Sequence, residues 1–123
     1  RQIDFDAHLA NIKRKNFNIT PATGLARDDN WSYVVNNIAF LHLRMSKMDG
    51  SDFVASGGIL LGTLPHAVYG DNPLLITLYY NQYSELLSSG QGVITWDRNV
   101  YAHNVPSSTR YIYVSATYLL NEV

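Results

Sequence analysis

The residues best equipped for chemistry cluster late in the chain, in Val93-Ile-Thr-Trp-Asp-Arg-Asn-Val-Tyr-Ala-His103, where Trp96, Asp97, Arg98, Tyr101 and His103 fall around one turn. Flat rings cover the C–H faces of a sugar, and carboxylate, guanidinium and imidazole groups exchange hydrogen bonds with its hydroxyls. With a two-residue loop at Arg98-Asn99, Trp96 faces Tyr101 and Ile94 faces His103. A loop of three to five residues fits as well, because Arg-Asn is not the Asn-Gly that a type I′ turn prefers, and a one-residue slip moves the whole set to the other face. Ordinary cross-strand packing accounts equally for Trp96 and Tyr101. Asp97 and Arg98 have no such explanation.

A second wall for this site is offered by His66, Tyr69, Asp71 and Asn72 in one loop, although Asp71 and Asn72 are also residues that bond their own backbone in turns. Trp31, beside Arg27, Asp28, Asp29 and Asn30, is a third candidate, with the alternative of a loop aromatic anchored beneath a stalk junction. Catalysis finds little footing. The acids Asp49, Asp52, Asp71, Glu85 and Asp97 have no spacing that fixes a glycosidase pair. His8, His42, His66 and His103 match no metal-ligand spacing, and there is no Gly-x-Ser-x-Gly elbow or phosphate-binding glycine loop. The expectation is a binding domain that is not an enzyme and uses no metal or cofactor.

Composition narrows the partners. With 123 residues the chain has room for one core. Nine Lys and Arg against ten Asp and Glu leave a net charge of −1, so no positive field draws nucleic acid or an anionic membrane. Cysteine is absent, which excludes disulfides, thiolate metal sites and a thiol nucleophile. No run approaches the roughly 20 apolar residues of a membrane span. Opening at Arg1 rather than Met, the chain reads as a piece of a longer one.

The elements that must carry these residues follow a period of two. Ala39, Leu41, Leu43 and Met45 make one apolar face, and Ile38, Phe40, His42 and Arg44 a mixed one. Leu74, Ile76, Leu78 and Tyr80 repeat the pattern, as do Ile112, Val114, Ala116, Tyr118 and Leu120, with Tyr111, Tyr113, Ser115 and Thr117 opposite. Turn-forming clusters are read at 48–52, 56–58, 70–73, 88–92 and 104–109. Residues 1–25 read as a connector or stalk end and 26–123 as the head domain; within the former, Ile3 to Leu9 alternate strictly but also fit a short helix. Short strands between such turns predict an all-β, antiparallel sandwich or jelly-roll-like barrel.

Asn37-Ile-Ala-Phe-Leu-His-Leu-Arg-Met45, Ser56-Gly-Gly-Ile-Leu-Leu-Gly-Thr-Leu-Pro65, Asn72-Pro73, Gly92-Val-Ile-Thr-Trp96 and Tyr111-Ile-Tyr-Val-Ser-Ala-Thr-Tyr118 together resemble a pattern of phage tail proteins. Over about residues 30–120 the chain is similar to the C-terminal head of receptor-binding or baseplate proteins of siphophages that infect Gram-positive bacteria, the lactococcal phage type. The resemblance implies a jelly-roll head, a homotrimer on a stalk among other baseplate and tail-fibre proteins at the tail tip of the virion, and adhesion to host cell-wall saccharide, glycerol- or phosphate-containing polymers included. The alternatives are a carbohydrate-binding module of an enzyme and a purely structural baseplate or fibre domain. A trimer also accounts for Ile38, Phe40, Tyr111 and Tyr113 on faces directed away from the core, since apolar surface of that extent is usually covered.

Overall fold

The computed structural model describes residues 14–70 and 73–120, and among them every regular element is a strand. In chain order these are β1 (Lys15–Asn16), β2 (Thr20–Pro21), β3 (Leu25–Asn30), β4 (Tyr33–Val35) and β5 (Ile38–Lys47). They are followed by β6 (Ser56–Thr63), β7 (Leu74–Gln82), β8 (Glu85–Ile94), β9 (Asn99–Val105) and β10 (Tyr111–Leu119). The expected all-β antiparallel class is what the chain adopts. All ten strands join one sheet in the order β1-β4-β5-β10-β7-β8-β9-β6-β2, with β3 paired to β5 as well.

That order forces the sheet to curl. Its path holds nine strands, which laid flat would set the end strands about 38 Å apart at ~4.8 Å per neighbour. The end strands are β1 and β2, and the chain from Asn16 to Thr20 spans at most about 14 Å. The sheet therefore closes on itself as a half-barrel, laced by its own N-terminal segment. Of the stretch read as a connector, residues 1–13 lie outside the described residues, whereas β1 pairs with β4, β2 with β6, and Ile19 between them is buried in the core.

The interior is built from the alternating positions. Ala39, Leu41, Leu43 and Met45 of β5 point inward with Ile76, Leu78 and Tyr80 of β7 and with Ile112, Val114 and Tyr118 of β10. Two clusters read as turns, 56–58 and 88–92, instead lie inside β6 and β8. The reason at β8 is close packing. A Cβ on Gly90 would overlap the Tyr80 ring, which crosses that glycine so that its hydroxyl donates to the His103 carbonyl at 2.8 Å. Gly62 does the same for β2, since a Cβ there would stand 2.5 Å from Thr20 O. The true β7–β8 turn is Tyr83-Ser84, with Gln82 opposite Glu85.

Candidate ligand-binding site

The hairpin that carries Trp96 uses the longer loop. Val93 faces Tyr101 and Ile94 faces Val100, three residues away from the register of a two-residue loop, and Thr95 N–H donates to Asn99 O at 2.9 Å. Trp96 stands at the tip with 72% of its surface exposed and does not face Tyr101. Asp97 is occupied in closing the turn, where it accepts from the Thr95 hydroxyl and from Asn99 Nδ2. Arg98 takes a φ of 74° and accepts from Leu64 N–H. Tyr101 and His103 alternate with the buried Val100 and Ala102, opposite Leu60 and Gly58 of β6.

The facing loop also divides. Tyr69 is exposed, while Asp71 and Asn72 lie outside the described residues. His66 is half-buried: its Nε2 is 2.9 Å from the Tyr118 hydroxyl and its ring meets Phe17 edge-on with centroids 4.6 Å apart. Burial, with a smaller contribution from Arg98, holds its imidazole below the usual range, and burial pushes the Tyr118 phenol up.

Two hollows of the described surface adjoin Trp31. Asn36 and Asn37, with φ of 51° and 64°, form the two-residue turn that sets β4 against β5, so that Tyr33 falls opposite Phe40. Their rings stack with centroids 4.8 Å apart. Between β3 and β4 the buried Ser32 hydroxyl accepts from His42 N–H at 3.0 Å and donates to His42 O, and Trp31 N–H also donates to that carbonyl. This anchorage holds the Trp31 ring edge-on to His42, 5.5 Å between centroids, with 60% of the tryptophan exposed.

Trp31 is thus a ridge between two hollows. One, of 530 Å³, runs from Trp31 and Tyr33 to Arg14, Asn16 and Asn18 of the N-terminal segment and to Arg27, Asp28 and Asn30 of β3. The other, of 280 Å³, is lined by Trp31, Tyr33, Phe40 and His42 with Ser115 and Thr117 of β10. Asn30 fixes the near wall by donating to Phe17 O at 2.8 Å and to Asn18 Oδ1 at 2.6 Å. The Arg14 guanidinium lies 4.9 Å from the Tyr33 ring centre. Asp28 is engaged by Arg44 at 3.5 Å, and Arg14 and Arg27 are the cations among the cleft's described lining residues. His42 and Ser115 carry the surface on into a third hollow of 460 Å³ with Tyr79, Tyr113, Leu86 and Asn81, whose buried Oδ1 has no hydrogen-bond partner among the described residues.

Comparison of the chain with protein-family models, with curated proteins and with solved structures finds no match.

Of the three sequence candidates, Trp31 sits where three separated segments meet, between two hollows of the described surface. Tyr33, Phe40, His42, Arg14 and Asn18 were not among the site residues expected. Their signal was the mixed outer face of β5, where Phe40 and His42 alternate with core residues. Chemically the described residues of the cleft offer exposed ring faces, amide and guanidinium donors and the Asp28 carboxylate. Among its lining residues no nucleophile hydrogen-bonds to a base.

Proposed function

We propose that this chain is a non-catalytic adhesion domain whose ligand is a saccharide lying across Trp31. One observation carries the reading: an exposed tryptophan, its backbone tied to His42 and its ring edge-on to that imidazole, separates two hollows rich in amide, guanidinium and hydroxyl groups. Aromatic faces with convergent polar groups suit a hydrated ligand that presents alternating C–H and O–H surfaces. Arg14 and Arg27 favour a polymer that carries phosphate, since guanidinium binds phosphate bidentately.

The likeness of residues 30–120 to siphophage receptor-binding heads extends this to attachment of a phage to the wall of a Gram-positive host. On this reading the half-barrel is a jelly-roll head at the tail tip, joined as a homotrimer to other baseplate proteins. Trimer and array then supply avidity for a ligand that exchanges bonds with water at little net gain. Part of the apolar face that argues for trimerisation is covered within the chain, Phe40 by Tyr33 and Tyr111 by the Arg44 guanidinium at 4.2 Å. Tyr79 and Leu75 remain exposed.

The test is calorimetric titration of the chain with wall saccharide from Gram-positive hosts, beside the Trp31→Ala variant. Binding by the parent that the variant loses supports the reading, and release of reducing ends would move it to the enzyme class. Absence of binding to every wall saccharide, with capture of tail proteins instead, would favour a structural fibre domain.

A further inference from the structure

Trp31 and Tyr33 line both the 530 Å³ and the 280 Å³ hollows, and His42 and Ser115 line both the 280 Å³ and the 460 Å³ ones. The three hollows therefore succeed one another along a single face of the sheet. Strand pairing puts them in line. His42 of β5 stands opposite Ser115 of β10, and Tyr113 of β10 stands opposite Tyr79 of β7, all four on the outward side of their strands. Leu86 of β8, paired with Asn81, borders the far end.

Charge is confined to the first of these hollows. Among the described lining residues Arg14, Arg27 and Asp28 all belong to it, and the other two are lined by no Asp, Glu, Lys or Arg. Arg44, which pairs with Tyr113 across β5 and β10, turns its guanidinium over the Tyr111 ring and to Asp28. Two aromatic platforms stand along the path, Trp31 first and then Tyr113 with the 42% exposed Tyr79. The Trp31 and His42 ring centres are 5.5 Å apart, and Tyr113 is a diagonal neighbour of His42, about 7 to 8 Å further across the sheet. Trp31 approaches β5 on the side opposite β10, so the two steps run in one direction. A single sugar ring cannot touch both platforms; a chain of rings can.

We infer, resting on the saccharide reading, that the site takes an extended polymer in one direction: a phosphate-bearing unit beside Arg14 and Arg27, a ring on Trp31, and an uncharged sugar unit against Tyr113 and Tyr79. The continuity through His42 and Ser115 names the occupant of the third hollow, which is the same ligand chain. The direction follows from charge. A phosphate set in a hollow without a cation gives up hydration for nothing, so the charged unit belongs to the first hollow. In the third, ring faces with phenol, serine and amide groups meet the C–H and O–H surfaces of a neutral sugar. Each further unit then binds as part of a chain already held, so weak contacts multiply. Tyr79 is thereby assigned to ligand, and Leu75, two outward positions away on β7, stays clear of the path.

The test is titration of the intact chain with phosphate-bearing wall saccharide cut to graded lengths, from one repeating unit to several, beside Tyr79→Ala and Leu86→Ser, both at exposed positions. The parent's affinity should rise with length, by about tenfold once a fragment reaches the second platform. Both variants should bind one repeating unit as the parent does and lose that rise, with mass by light scattering and thermal melting unchanged. Removing phosphate from the fragments should weaken the parent and Tyr79→Ala alike. A rise kept in full by both variants would overturn the extended path and leave the Trp31 reading standing. A lower mass for Tyr79→Ala would also overturn it, assigning that ring to subunit contact. A parent that binds no fragment of any length overturns the path and the saccharide reading together.

Discussion

His66 Nε2 and the Tyr118 hydroxyl, 52 residues apart in sequence, sit 2.9 Å apart, with the Phe17 ring edge-on to the imidazole. The bond joins a phenol kept protonated by burial to a neutral imidazole, with the phenol O–H donating to Nε2 in one His66 tautomer and Nε2–H donating to the phenol oxygen in the other.

Stability should therefore fall in mild acid. Burial holds the folded His66 below its ordinary value of 6.5, so the unfolded chain binds the proton first. The contribution is present above 6.5 and is lost as pH drops below it. Thermal melts should change little between about pH 8 and 7 and move to lower temperature below about 6.5. His66→Gln should remove that step and cost about 1 kcal/mol at neutral pH. A parent whose melting temperature is unchanged down to about pH 5 would contradict this account.

Gly90→Ala forces a methyl group into the Tyr80 ring and should destabilise by about 1 to 3 kcal/mol in urea unfolding. Tyr80→Phe, which leaves the His103 carbonyl without its donor, should cost about 1 kcal/mol.

Ile19 is 2% exposed at the point where the N-terminal segment crosses between the two end strands. Ile19→Ala should cost about 2 to 5 kcal/mol. Urea unfolding of that variant, with no loss beyond a few tenths of a kcal/mol, would mean that this segment does not lace the barrel.

The long strands were legible because their inward positions alternate without interruption, as Ala39, Leu41, Leu43 and Met45 do. The turn chemistry of Ser88 to Gly92 was misleading for a tertiary reason: Gly90 is small to admit a ring from β7, not to reverse the chain. The two-residue strands β1 and β2 carry no periodic signal and are placed by Ile19 and by their partners. The cleft was harder to foresee than the core, since Arg14, Asn30 and Ser115 lie far apart in sequence and meet the Trp31 ridge only through strand pairing. The Trp96 hairpin drew attention because its polar groups are adjacent in sequence, where Asp97 in fact bonds its own turn.

The central claim is that ligand lies on Trp31, and the chain's two tryptophans allow a direct measurement. In the Trp96→Phe variant, Trp31 is the sole tryptophan, so its emission can be followed while wall saccharide is titrated in. The account predicts a saturable change in that emission at the parent's affinity, and a loss of about 1 to 3 kcal/mol of binding in Trp31→Ala with melting unchanged. Undiminished binding by Trp31→Ala, with Trp31 emission silent to ligand, would contradict it and return attention to the Trp96 hairpin.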